Sequence, residues 1–195
     1  MSKTPPTLLT ERLILRPFVP GDVDELWRTI MRDAKVMATL SVQPTTLAEE
    51  QACAAQYIDC YSEPWATTGY GGWAVRARGD DLAPAGSLLG FCGFERAQIE
   101  GEGAELGYGY GQEYWGKGLG LEAAAAATNW YFREGRHDRF YACYDPGNEG
   151  SKKILEAIGM TYRRDVDLWD SVKRGHGKLP LLTINRDEWL LNQVE

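Results

Sequence analysis

The stretch Tyr114-Trp-Gly-Lys-Gly-Leu-Gly-Leu-Glu122 constrains this chain more than any other. Gly116, Gly118 and Gly120 stand between two segments of different character. Ala104-Glu-Leu-Gly-Tyr-Gly-Tyr110 before them reads as a strand. Leu119, the alanine run 123–127 and Thr128-Asn-Trp-Tyr-Phe132 read as a helix from about Gly118 to Phe132, with Gly135 at its C-terminal cap. The glycines remove side-chain bulk where a ligand could meet the backbone. The first amides of a helix lack intrahelical partners and carry partial positive charge. A glycine turn opening a helix therefore suits a phosphate or pyrophosphate, and Lys117 adds a point charge. The plain alternative is a glycine-rich turn without a ligand. The pattern is neither G-x-G-x-x-G nor a P-loop.

The flanking chain reads as a scaffold for this turn. Leu13 and Leu15 alternate with Arg12, Ile14 and Arg16 in a short strand ended by Pro17. Asp22 is placed to cap a helix carrying Leu26, Trp27, Ile30 and Met31. Thr45 or Thr46 opens a second helix, with Glu49 and Glu50 in its first turn. Strands follow at 72–77 and 86–94, separated by a turn-rich loop and expected to pair antiparallel. After the central helix come a strand at 139–144, a helix from Glu149 to Ile158, a strand at 160–166, a strand at 179–184 and a short terminal helix. No linker divides the chain, so one α+β domain over residues 1–195 is expected.

Bulk properties narrow the class. The chain has 195 residues, 44% hydrophobic and 25% charged, which suits a globular domain with a substantial core. No apolar run is long enough to span a bilayer, and Met1–Pro6 lacks the apolar centre of a signal peptide, so a cytoplasmic protein away from membranes is expected. The formal net charge of −7 argues against nucleic-acid binding and favours a cationic or amine-bearing partner, unless it serves solubility alone. Cys53, Cys60, Cys92 and Cys143 form no C-x-x-C pair, and His137 and His176 are the only histidines. Reduced, mostly buried thiols and no metal site are expected.

Glu105-Leu-Gly-Tyr108 followed by Tyr114-Trp-Gly-Lys-Gly-Leu-Gly-Leu-Glu-Ala-Ala124 resembles the acyl-CoA-binding signature of the GNAT N-acetyltransferases. The likeness is strongest to the branch holding the ribosomal-protein alanine N-acetyltransferases, and it extends along nearly the whole chain. Thr10–Phe18 resembles that branch's first strand. Asn148-Glu-Gly-Ser151 with Leu155–Met160 resembles its asparagine-x-x-serine helix and exit, and Leu182–Trp189 its closing strand and helix. Trp115 stands where the wider superfamily usually has glutamine or arginine, Met160 replaces a usual phenylalanine, and Gly109-Tyr-Gly111 is unusually glycine-rich.

The resemblance implies the GNAT acyl-CoA N-acyltransferase fold, a three-layer α+β arrangement. Its mixed, twisted sheet of about seven strands has helices on both faces and splays between strands 104–111 and 139–144. It implies acetyl-CoA as cosubstrate and direct attack on the thioester by a primary amine, on a protein N-terminus or a small molecule. Backbone from Trp115 through Gly116, Lys117, Gly118, Leu119 and Gly120 would hold the pyrophosphate. Tyr110, Gly111 and Gln112 would pair with the pantetheine arm, their N–H groups polarising the carbonyl. Asn148 would lie near that arm, or act only as a helix cap. Ser151 is a candidate acid. Glu105 is the candidate base or an orienting carboxylate, with Asp167 and Asp170 as rivals. Tyr144 and Tyr162 are further hydroxyl candidates, and Trp65, Trp73, Phe91 and Phe94 are either acceptor pocket or core. A homodimer is possible. The alternative function is an acyl-CoA sensor without turnover, and a weaker one is a nucleotide-binding module.

Overall fold

The computed structural model describes residues 5–40, 46–96, 98–99, 103–135, 137–167 and 178–193. Asp170 and His176 lie outside them.

The strands are β1 (Leu8–Leu9), β2 (Leu13–Pro17), β3 (Gly72–Ala77), β4 (Leu88–Glu95), β5 (Ala104–Tyr110), β6 (Arg139–Cys143), β7 (Thr161–Val166) and β8 (Leu179–Asn185). They form one sheet in the order β1-β2-β3-β4-β5-β6-β8-β7. Seven match the expected strands; the eighth, β1, is a two-residue edge too short to show a period. Every neighbouring pair is antiparallel except β5 and β6, which are parallel.

The helices are α1 (Val23–Leu26), α2 (Ala34–Met37), α3 (Leu47–Ser62), α4 (Pro64–Thr67), α5 (Leu119–Arg133), α6 (Glu149–Ala157) and α7 (Arg186–Leu191). A π-helical turn at Trp27–Met31 follows α1, with the Arg32 amide reaching back to the Trp27 carbonyl at 3.1 Å. Thr46 caps α3 in a reciprocal box with Glu49, and Asn185 does the same for α7 with Glu188.

Strand alternation divides the interior between the two faces. Trp73, Val75 and Ala77 join Leu13, Leu15 and Phe94 under α5 and α7. Ala74, Leu88 and Phe91 point the other way, onto Leu26, Ile30, Ile58 and Tyr61 of the N-terminal helices. Ala123, Ala124 and Ala127 are fully buried, so the alanine run brings α5 close against the sheet. Trp73 stands edge-on to Trp130 with ring centres 5.3 Å apart, and Phe132 stacks on Trp189 at 5.4 Å. Trp73, Phe91 and Phe94 are thereby core, not acceptor pocket; Trp65 packs edge-on against Trp73 and Trp130.

Asp22 departs from its expected role. It stands at the start of α1, but its side chain makes no cap hydrogen bond there. The carboxylate instead accepts from Arg16 at 2.6 and 2.8 Å, from Arg76 at 2.6 Å and from the Val19 amide at 2.9 Å. Two guanidinium groups outcompete a helix amide because charge-assisted bonds are the stronger ones. Two of the four thiols, Cys53 and Cys92, are buried, Cys143 is partly so, and Cys60 is exposed.

Candidate functional site

The parallel pair is where the sheet opens. β5 pairs with β4 along its length, to Tyr110 opposite Gly90. It meets β6 only at Ala104 opposite Phe140 and Glu105 opposite Tyr141. Beyond Glu105 the two strands part. The Gly111 amide donates to the Leu89 carbonyl of β4 at 3.1 Å. An antiparallel ladder bonds alternate residues, so the backbone groups of Tyr108 and Tyr110 turn toward the open edge.

A cavity of about 790 Å³ lies in this opening, within the range of small-molecule sites. Tyr108, Tyr110, Gly118, Leu119, Asn148 and Ser151 line it, and Ala38 and Thr39 reach it from the end of α2. Trp115, Gly116 and Gly120 also border it. Eight of the expected site residues thus meet at one cavity. Gly111, Gln112, Lys117 and Glu105 do not line it. Gly111 is engaged by β4, and Lys117 Nζ lies over the Tyr114 ring, 5.7 Å from its centre.

The glycine turn is built by backbone geometry. Gly116 and Gly118 have φ of +72° and +76°, a region that other residues rarely occupy. Gly118 is the N-cap of α5 and offers no side-chain cap. The Glu122 amide bonds the Gly118 carbonyl at 3.1 Å, so the amides of Leu119, Gly120 and Leu121 precede the first intrahelical bond. These uncapped donors at the start of a 15-residue helix suit an anionic group.

A latch that sequence reasoning missed holds the turn to β2. The Glu122 carboxylate accepts from Thr10 Oγ1 at 2.6 Å, the Arg12 amide at 2.9 Å and Arg12 Nε at 2.7 Å. Arg12 Nη1 in turn donates to the Lys117 carbonyl at 2.9 Å. Burial pushes the Glu122 pKa up, but the bonds from Thr10 and Arg12 outweigh it and hold the group below its ordinary value. The Trp115 indole donates to the Tyr110 carbonyl at 2.8 Å, tying the turn to the strand end.

Asn148 caps α6 by accepting from the Ser151 amide at 3.0 Å while also bordering the cavity, so the cap and the lining position coexist. Ser151 Oγ lies 2.9 Å from Tyr108 Oη. Burial pushes the Tyr108 phenol up, which keeps it a neutral donor.

Glu105 lies on the opposite face of β5. Its neighbour Tyr108 reaches α6, whereas Glu105 and Gly107 share the α3 side by strand alternation. Tyr141 Oη donates to Glu105 Oε2 at 2.7 Å and accepts from the Gln98 amide at 2.9 Å. Glu95 stands directly opposite Glu105 in the β4–β5 register, a placement with no signal in the sequence. Of the remaining candidates, Asp167 is exposed, beyond β7 on the far side of β8 from β6. Tyr162 Oη donates to Asp165 at 3.2 Å, and Tyr144 packs partly buried against the α5 core. No group of three or more metal-ligating side chains occurs among the described residues.

The fold is that of a known class of acyl-group transferases, as comparison with known proteins shows. The family model described as the Acetyltransferase (GNAT) domain matches residues 12–161, well over half of the sequence, and the chain belongs to that family. The uncharacterized protein YkkB of Bacillus subtilis is 28% identical over 84% of this chain and 90% of its own. The [ribosomal protein uS5]-alanine N-acetyltransferase of Escherichia coli is 37% identical over 40% of this chain and 42% of its own. In fold, the chain is similar to an acetyltransferase from Agrobacterium tumefaciens, with a TM-score of 0.74 at 21% identity, covering 94% of this chain and 96% of that one. Acetyl transfer is the activity this membership implies.

Proposed function

We propose that the protein is an acetyl-CoA-dependent N-acetyltransferase acting on a primary amine, either a protein N-terminus or a small molecule. The observation that carries this reading is the cavity at the β5–β6 splay, walled by the uncapped start of α5. The donor set fits coenzyme A. Backbone amides at a helix start suit its pyrophosphate, and an open strand edge suits the amide-bearing pantetheine arm. Bound acetyl-CoA supplies an activated thioester carbonyl.

The chain's own groups then divide the proton work. Glu105, on the α3 face, takes a proton from the acceptor ammonium, so the free amine can attack. Ser151 Oγ, held against Tyr108 Oη, gives a proton to the departing sulfur and recovers one from water, which also takes the second proton that the nitrogen sheds as it becomes an amide. Backbone N–H groups at the open edge of β5 stabilise charge developing on the carbonyl oxygen. No enzyme nucleophile is required.

The acidic net charge of −7 supports a cationic acceptor. The resemblance to a relative named for acetylating a ribosomal-protein alanine supports a protein amine as one class. No helix among the described residues is long and apolar enough to cross a membrane, which accords with a cytoplasmic setting.

Glu105→Gln tests the assignment of the base. It should lower kcat by roughly a hundredfold or more at neutral pH, the usual contribution of general-base catalysis. The deficit should shrink as pH approaches the acceptor's own pKa, while coenzyme A affinity stays unchanged. An unaltered pH–rate profile would move the role away from Glu105.

A further inference from the structure

A second cavity, of about 370 Å³, lies between the middle of α5, the end of α6 and the end of α7. Its size falls at the small end of small-molecule sites. No residue borders both this cavity and the one at the β5–β6 splay. Thr128 borders it from α5 and is 2% exposed. A threonine inside a helix ordinarily donates its hydroxyl to the carbonyl three or four residues before it. Thr128 Oγ1 has no hydrogen-bond partner among the described residues. An unpaired buried hydroxyl costs free energy, so this one calls for a partner that the chain does not supply.

The rest of the wall defines that partner. α6 closes with bonds from the Ile158, Gly159 and Met160 amides to the carbonyls of Ile154, Glu156 and Leu155. The Ala157 and Ile158 carbonyls lie beyond the last of these acceptors, at a helix end that carries partial negative charge. Both residues border the cavity. Glu156 borders it too, is exposed, and forms no ion pair among the described residues. No lysine or arginine lines this wall. Acceptors and a negative charge without a cation suit an ammonium group. Donors are present as well. Asn129 Oδ1 accepts from the Trp189 indole at 3.3 Å, and Gln193 Oε1 accepts from Arg133 at 3.2 Å. The NH2 groups of these two exposed amides therefore remain as donors for an oxygen.

We propose that this cavity binds a small hydroxylated ammonium ion, an amino alcohol. The ammonium group donates to the Glu156 carboxylate and to the end carbonyls of α6. The ligand hydroxyl, which can both give and take a hydrogen bond, pairs with Thr128 Oγ1 and the two amides. No bond is made or broken there, and the site stands whether or not the protein transfers an acetyl group.

Ethanolamine hydrochloride titrated into isotope-labelled protein at neutral pH and fixed ionic strength, followed by amide NMR, tests this. The backbone amides of Thr128, Ala157, Ile158 and Gly159 should shift together and saturate. Ethylene glycol, which lacks the charge, and sodium chloride, which lacks the donors, should leave them in place over the same concentrations. Thr128→Val should weaken affinity roughly fivefold or more, the loss of one hydrogen bond. Glu156→Gln, a surface change that keeps the fold, should weaken it roughly threefold or more, the loss of one exposed charge pair. Equal affinity in wild type and both variants would place the probe elsewhere, the acceptor site included, and overturn the proposal. So would the absence of a saturable shift, or ethylene glycol binding as tightly. Tm without ligand gives a separate reading. Thr128→Val should match or exceed wild type, because an unpaired hydroxyl contributes nothing favourable. A lower Tm would show the hydroxyl already bonded and overturn the proposal.

Discussion

Asp22 is 2% exposed and holds Arg16 and Arg76 at once. Burial alone would raise its pKa, but the bonds from Arg16, the Val19 amide and Arg76 outweigh it and leave the pKa lowered. Removing the charge takes the carboxylate from Arg16 and leaves Arg76 with Glu25 alone, so Asp22→Asn should cost about 3 kcal/mol, read by denaturant unfolding. The sign with pH follows from the lowered value. The stabilisation is present above the ordinary carboxyl pKa and is lost as pH falls through the folded one, so wild type and variant should converge in acid. Sequence reading placed Asp22 at a helix start and could not see Arg76, 54 residues away, because that contact depends on β2–β3 register. The unusual glycines of β5 have a similar cause. A Cβ at Gly109 would lie 2.6 Å from the Phe91 ring, and one at Gly107 would meet Tyr61. Aromatic side chains from β4 and α3 cross the strand there, so the spare composition reflects packing from outside the segment.

Elements were the most legible scale. β3 and β5 run where the sequence reading places strands, and α5 and α6 each lie within a residue of expectation at both ends. Local signals were strong there: period-two apolar residues, Thr46 with Glu49, and glycines beside an alanine-rich run. Their lateral order was not legible, since strand neighbours are chosen by the packing of two whole faces. The latch of Thr10 and Arg12 on Glu122 was hidden for the same reason, its members lying 110 or more residues apart. At the turn, space and conformation separate cleanly. A Cβ at Gly118 would approach only Arg12 Nη2, at 3.6 Å, but the φ of +76° disfavours any side chain. Gly118→Val should therefore weaken coenzyme A binding at least tenfold by calorimetry, through displaced α5 amides, while the far-UV spectrum is kept. At Gly120 the limit is space: its Cβ would come within 2.7 Å of Ile154, so Gly120→Val should push α6 away and lower Tm as well.

At the scale of the whole molecule, two apolar cores clamp the sheet from both sides, and β5 and β6 part between them. The glycine turn and the start of α6 face each other across that gap, while Glu105 and Glu95 lie on the other face of β5. The cavity and the Glu105 carboxylate thus lie on opposite faces of a single strand. The family resemblance made most of the cavity lining readable, because its residues fall in two short motifs, at 108–120 and 148–151. The surroundings of Glu105 are assembled from α3, β4 and β6, and no local pattern announces them. The account's central claim is amine-dependent acetyl transfer from the cavity at the β5–β6 splay. The most direct test incubates the protein with acetyl-CoA and a panel of amines, including peptides beginning with alanine or serine and aminoglycoside-like amines. Released coenzyme A thiol and acetylated acceptor are then measured together. Stoichiometric thiol release and acetylation with at least one acceptor, lost in Gly118→Val, is the predicted result. Binding of acetyl-CoA with no acceptor modified would contradict it and make the protein a sensor.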